Sequence, residues 1–391
     1  MHDAIVIGGG LSGAVFAHHF AKKGRVLIIE RENRLGGAIH TVRPFGGDSG
    51  FFAELGAHTI YHSYKTIIDI IDELFPFSAV IPHKNPGYFI KYNGRMHSLY
   101  SQVSLLGLIS GVLKLPFSTK EGKSVKAFYS IFGKNYERVI EPALSAIICQ
   151  DSSEMAAELV MKSRKVKRKD YPRAFTLIGG LSALIDKIAV QNNVSVNLSA
   201  RAEKILRDSE GYTVITAEGA EFKGKHLAIA TDAHEAARLL PDISKEAGEI
   251  LKSIPTVFSK AFLFSAKKND YTFPPFGYII SRDGDFRGAV SRDQVWDQDY
   301  RAATLHFLDG NSPEEEFTRL KPLFKIPAQA DIYTQTERFS LPRLLADHKL
   351  RAEKLEKLLK DIRNLHVLGN YFAGLSMEDC AARGAFEALN V

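Results

Sequence analysis

Six residues near the start of the chain, Gly8-Gly9-Gly10-Leu11-Ser12-Gly13, constrain its fold more than any others. The GxGxxG spacing alone is common. Here it follows an apolar run, residues 3–8, that reads as a buried parallel strand. It opens a helical segment, Leu11 to Lys23, for which Gly24 is the expected left-handed cap. A second buried strand, Arg25 to Glu30, comes next and ends on a carboxylate. Strand, glycine turn, helix and strand make one βαβ unit. In such a unit Gly8 permits the tight turn, Gly10 lets backbone approach a pyrophosphate, and Gly13 lets the helix pack on the sheet. Leu11 and Ser12 open the helix whose N–H groups and positive dipole end face the phosphates. Glu30 can accept hydrogen bonds from ribose hydroxyls. A carboxylate there disfavours a 2′-phosphate, leaving NAD or FAD.

The next residues separate the two. Arg34-Leu35-Gly36-Gly37 follows Glu30 closely, and this RxGG extension resembles the fingerprint of the FAD-dependent amine oxidase and protoporphyrinogen oxidase superfamily. The resemblance implies non-covalent FAD lying along Arg31, Arg34, Gly36, Gly37 and Ala38. Arg34 would either neutralise phosphate or hold the loop. Glu54-Leu55-Gly56-Ala57-His58 resembles the segment that sets backbone beside the flavin ring, which implicates Gly56, Ala57 and His58. His58 is either a flavin contact or a packed histidine, and with the backbone around Gly37, Gly56 and Met377 it makes up the catalytic candidates.

The likeness continues to the C-terminus. Residues 175–184, with Gly179-Gly180, resemble the family's GGL segment, and the residues after it, 194–205, resemble the family strand that touches adenine through backbone, which implies that contact at Ala202. The strand ending Ala228-Ile229-Ala230-Thr231 resembles the one passing the pyrophosphate at Thr231. Residues 369–384 resemble the closing motif of protoporphyrinogen oxidases, which implies cofactor contacts at Gly369, Asn370, Leu375, Ser376 and Met377. A helix N-terminus there would stabilise negative charge on the flavin. Asp379 is the expected N-cap and Cys380 a packed residue rather than a covalent tether.

The fold implied is α/β: a Rossmann-type FAD-binding domain of the GR2 kind, with a discontinuous mixed α+β substrate domain that includes a helical subdomain. FAD-binding segments are expected at 1–80, 175–254 and 351–391. Substrate-domain segments are expected at 81–174, where residues 101–175 read as mostly helical, and at 255–350. A hairpin over 87–99 turns at Asn93-Gly94. Some family members carry a propionate-binding arginine at its start. Tyr88 stands there in this chain, with Lys91 or Arg95 as substitutes. Tyr88, Tyr278 and Tyr371 are the substrate-contact candidates, the last two as an aromatic cage if the substrate is an amine.

Composition bounds the partners. The 391 residues carry a net charge of +6, too dilute for a nucleic-acid stripe. The densest basic run, Lys162 to Lys169, reads as a solvated connector or as a contact with anionic lipid or substrate. The two cysteines stand in no metal-ligand or disulfide pattern, so no metal is expected, and a reducing, cytoplasmic setting is. The apolar stretch 104–117 is too short to span a membrane. It reads either as a buried helix of the substrate domain or as a peripheral membrane or substrate-entrance element.

Together these features predict an FAD-dependent oxidoreductase that takes hydride from a small hydrophobic substrate, protoporphyrinogen-like as first choice, with oxygen or another acceptor reoxidising the flavin. An amine oxidase or a carotenoid/terpenoid desaturase is the alternative within the superfamily. A UDP-sugar mutase or a redox-silent flavin protein is the alternative outside that chemistry. Substrate identity, acceptor and oligomeric state are not encoded in any motif.

Overall fold

In the computed structural model, which describes residues 1–310 and 312–391, two seven-stranded sheets organise the chain. The first centres on His2–Ile7, flanked in parallel by Val26–Ile29 and Glu221–Ile229. Val194–Asn197 and Leu365–Val367 extend it in parallel, and Tyr212–Thr216 and Ala202–Arg207 add an antiparallel edge. The strands His2–Ile7 and Val26–Ile29 are apolar without alternation because elements cover both sheet faces, and all four residues of Val26–Ile29 are buried. The chain leaves His2–Ile7 in one direction to reach Val26–Ile29 and returns on its other side at Glu221–Ile229. The carboxyl ends of these strands therefore border the crevice where such sheets bind ligands.

The first helix, Leu11–Phe20, packs on the last, Met377–Leu389. A methyl group on Gly384 would lie 2.4 Å from the Ser12 carbonyl oxygen, so glycine is what allows the close approach. The C-terminus of the chain thereby sits on its N-terminal turn.

The second sheet runs Ile332–Pro342, Thr256–Lys267, Tyr300–Leu308, Gly288–Ser291, Tyr278–Ser281, Tyr88–Tyr92 and Arg95–Ser98. Here alternation is plain. Phe262 and Phe264 join Phe307, Phe317 and Phe324 in an aromatic core on one face. Ala261 and Leu263 pack from the other face onto Val42, Phe51, Ala53 and Leu55. The smaller residues thus face the loop that carries the cofactor motifs. The hairpin forms as expected, with Asn93 at φ 52° and Gly94 at φ 70°.

Several expectations fail. Gly24 is not a left-handed cap. The helix ends at Phe20 on an αR cap at Ala21, and Gly24 packs against Asp3, 2.8 Å from where a Cβ would sit. Helices of the 101–175 region stop at Ile147. Beyond it, local bonds such as Ser153 N–H to Asp151, and long-range ones such as Ala156 N–H to the Leu344 carbonyl, take the backbone groups instead.

The apolar helix Leu105–Lys114 is not a core helix. Leu106 is 82% exposed, Leu113 67% and the following Phe117 92%. Its buried residue is Gly111, set against the Phe132 ring, and Asn135 fixes the start by accepting from Ser104 N–H and donating to the Ser104 carbonyl, each at 2.8 Å. The basic run is an irregular connector that is solvated at Lys165, Lys167 and Lys169 and pinned by ion pairs elsewhere. Arg168 pairs with Asp69, Asp72 and Asp170, and Lys162 and Arg164 reach Asp379. No helix among the described residues is long and apolar enough to cross a membrane.

Candidate cofactor and substrate site

The glycine turn and the RxGG loop form one unit. Gly10 and Gly36 make a parallel bridge, and Gly36 N–H donates to the Gly9 carbonyl at 2.9 Å. Gly36 and Gly37 hold φ of 109° and 55°, a region that side chains disfavour, and a Cβ on Gly37 would lie 3.3 Å from Gly10 Cα. Gly13 abuts the Gly8 carbonyl, 2.1 Å from its ideal Cβ position, so the helix starts hard against the turn. Gly10 differs from its neighbours. Its backbone is ordinary, at φ −69° and ψ 178°, and a Cβ there would meet nothing within 4 Å. It faces open space at the crevice mouth.

The helix begins at Gly10 without a side-chain cap and without an acid in its first turn. The N–H groups of Leu11, Ser12 and Gly13 therefore have no intrahelical acceptor, and the positive dipole end is uncompensated. Glu30 is buried. Its Oε2 accepts from Gly9 N–H at 2.7 Å and its Oε1 from Glu32 N–H at 2.9 Å, so it ties the turn to the loop and keeps lone pairs for a ligand hydroxyl. Arg31 is exposed and pairs with Glu32. Arg34 holds the loop, donating to the carbonyls of Leu35, Gly37 and Ile39. It also pairs with Glu337 of the second sheet, which His40 meets as well.

The Glu54–His58 segment lies on this unit. Ala57 N–H donates to the Ala38 carbonyl at 2.9 Å, and Gly56 passes so close that a Cβ would overlap the same oxygen. Leu35, Ala57, Met377 and Cys380 pack together against the core that begins at Leu11. The closing motif therefore arrives where the sequence placed it. Ser376, not Asp379, is the N-cap: its Oγ accepts from Asp379 N–H at 3.1 Å. Asp379 sits three residues on, accepts from the Ser376 hydroxyl, and takes Arg164 at 2.9 Å. Burial pushes the Cys380 thiol up to about 12. Glu378, unmarked in the sequence, caps the Lys65–Leu74 helix by accepting from Thr66 N–H at 2.8 Å.

The other candidates divide. Thr231 lies beside Gly8, and Leu368 N–H donates to the Ile229 carbonyl, bringing Gly369 and Asn370 to the same strand ends. Ala202 is buried, and its carbonyl accepts from Arg238. The tyrosines do not converge. Tyr371 is 1% exposed and donates to the Leu368 carbonyl at 2.7 Å. The Tyr278 hydroxyl donates to the Ala146 carbonyl at 2.9 Å. Neither forms an aromatic cage. Tyr88 is half-exposed, and Lys91 is held by Asp283 and Asp285, which leaves it no role as an anion anchor.

His58 has a partner that sequence reasoning missed. Its Nε2 lies 3.3 Å from His306 Nε2, with the rings edge-on. Burial holds His58 well below its usual pKa and His306 down to about 4, so both are neutral. His306 Nδ1 is buried without a hydrogen bond. The signal for His306 was faint: a lone histidine in the strand Tyr300–Leu308. Beside the pair lies an inner chamber of about 30 Å³, lined by Glu54, His58, His83, Arg292 and Thr304 among others. Glu54 is pushed up to about 7 by burial, although Leu181 N–H and the Thr41 hydroxyl donate to it. An outer cleft of about 360 Å³ adjoins the chamber through Phe52, Arg292 and Val295.

A crevice at the strand ends, a helix terminus without a side-chain cap and the buried Glu30 carboxylate are the features of a dinucleotide-binding fold built on two sheets. The family profile of flavin-containing amine oxidoreductases matches residues 11–268, and the chain belongs to that family. Its cofactor is FAD, and the open space at Gly10 beside the bare helix terminus fits the pyrophosphate. Among relatives, the chloroplastic protoporphyrinogen oxidase of Oryza sativa subsp. japonica is 23% identical over 64% of this chain and 56% of its own length. This chain thus spans little more than half of that relative. A provisionally assigned protoporphyrinogen oxidase from Exiguobacterium sp. 255-15 superposes with a TM-score of 0.79 at 17% identity, covering 99% of this chain and 98% of that one. Cyclohexylamine oxidase from Brevibacterium oxydans IH-35A gives 0.69 at 15%, covering 100% and 98%. At these identities the structures share the fold.

Proposed function

We propose that this protein is an FAD-dependent oxidoreductase that oxidises a hydrophobic, protoporphyrinogen-like substrate. One observation carries the reading: the Glu54–His58 segment packs on the cofactor loop and also lines the chamber, so cofactor and substrate spaces share residues. Bound FAD supplies a two-electron acceptor for hydride leaving a substrate C–H bond. The chain's own part is to bind, orient and exclude water. Leu11, Ser12 and Gly13 present N–H groups to the pyrophosphate, Glu30 takes the ribose, and Gly36, Gly37 and Gly56 let backbone lie close. His58 and His306, both held neutral by burial, can offer the substrate a hydrogen bond but are poor proton acceptors.

The exposed helix Leu105–Lys114 supports delivery of that substrate from an anionic bilayer. It presents Leu106, Ile109 and Leu113 outward and ends on Lys114. Oxygen or another acceptor would then reoxidise the flavin.

The experiment is anaerobic mixing of the FAD-loaded protein with protoporphyrinogen IX, followed by flavin absorbance. Bleaching supports the assignment. Bleaching with benzylamine but not with the porphyrinogen moves the protein to amine oxidation, and no bleaching by any donor leaves a mutase or redox-silent role.

A further inference from the structure

Arg292 is unlike other partly buried arginines of the chain. Arg301 pairs with Asp293 at 2.6 Å, Arg383 with Glu356 at 2.6 Å and Arg164 with Asp379 at 2.9 Å. Arg292 is half-buried, yet no carboxylate among the described residues forms an ion pair with it. Its Nε donates to the Phe52 carbonyl at 2.7 Å and one terminal nitrogen to the Val295 carbonyl at 2.5 Å. The guanidinium lies 4.3 Å from the Phe52 ring centroid. These contacts fix its plane and leave it without a carboxylate in direct contact among the described residues. Burial pulls its pKa down to about 10, with Asp297, Glu54 and Asp293 acting as opposing charges from farther away. A partly buried cation with no carboxylate in contact is costly to the fold. Such a charge makes physical sense where a ligand brings the anion.

The position is specific. Arg292 lines both the outer cleft and the inner chamber next to His58 and His83. The cleft walls are apolar at Phe52, Ile81, Ile178 and Trp296, while Lys84 adds a cation and Asp297 an anion. We infer that Arg292 anchors a carboxylate of the substrate, an amphipathic organic acid whose apolar body lies along Phe52, Ile178 and Trp296. The donors not used by Phe52 and Val295 offer the fork that a carboxylate takes in bidentate fashion. The inference rests on the proposed oxidation of a hydrophobic substrate and narrows its class.

Calorimetric titration of the FAD-loaded protein with benzoate and with benzamide, its neutral isostere, tests it without turnover. Wild type should bind benzoate at least about tenfold more tightly than benzamide, the size of one charge-assisted interaction. Arg292→Met should erase that preference and Arg292→Lys should keep part of it. Equal or absent binding of the two probes by wild type, or a preference that survives in Arg292→Met, overturns the inference. If Arg292→Met does not fold, the wild-type comparison and Arg292→Lys still decide. Failure of the flavin to bleach with any donor bears on the oxidation reading and not on this binding site.

Discussion

Replacing Gly10 by alanine should separate folding from cofactor binding. The backbone at Gly10 is extended and open to any residue, and a Cβ would meet nothing within 4 Å. Two small effects then act on the empty protein. Restricting the unfolded chain stabilises by about 0.4–1 kcal/mol, and alanine at a helix N-cap costs a similar amount. The net change should stay within about 1 kcal/mol. The methyl group, however, projects into the space beside the helix terminus that the pyrophosphate must occupy. Gly13→Ala is the contrast: its methyl would lie 2.1 Å from the Gly8 carbonyl oxygen, an overpacking that costs about 1–3 kcal/mol in the empty protein. Urea unfolding followed by circular dichroism, with and without FAD, reads both effects. Wild type at a hundredfold excess of FAD over its Kd should gain about 2.7 kcal/mol, and Gly10→Ala should gain little. A Gly10→Ala protein stabilised by FAD as much as wild type would refute the reasoning. So would one whose empty form is weakened as much as Gly13→Ala.

Other perturbations test other parts of the structure. Arg301→Met leaves Asp293 buried without its partner and the carbonyls of Tyr271 and Phe273 without their donor, so it should cost about 3–5 kcal/mol in denaturant unfolding. A loss below about 1 kcal/mol would contradict that. Burial raises the folded pKa of Glu54 above its ordinary value, so its stabilising contribution is complete below about 4.5 and is lost as pH rises toward about 7. Glu54→Gln should flatten stability across that window, and an unchanged slope in urea midpoints would exclude Glu54 as the cause. Leu106→Ser combined with Leu113→Ser should leave the unfolding midpoint unchanged, because both side chains are exposed, and should reduce sedimentation with anionic vesicles. Undiminished sedimentation would remove this helix from the membrane contact.

The parts of this structure that were legible in the sequence are those whose cause is local. The turn at Gly8–Gly13 announces itself because tight backbone approach excludes side chains, and the flanking strands because parallel strands are apolar on both faces. Pairings across the chain left no such trace. Nothing in the run Lys162–Lys169 indicates that Arg164 reaches Asp379 or that Arg168 reaches Asp72. The apolar helix Leu105–Lys114 resembles a core segment because hydrophobicity reports what could be buried, not what is. Its single close packing surface is the Gly111 stripe against Phe132. The cap at Ser376 was misplaced by three residues, since a Ser-x-x-Asp pair bonds reciprocally and either end looks like the cap. His306 and Arg292 belong to no motif. Their meaning comes from strands that meet His58 and Phe52 only in three dimensions.

Segments from both ends of the chain meet at the glycine turn, where we place one non-covalent FAD site. Acid precipitation of the purified yellow protein measures it directly. Flavin should enter the supernatant as intact FAD, one per chain, and the stripped protein should take up FAD again. A protein that is colourless and takes up no FAD, or flavin that stays with the precipitated chain, would contradict it.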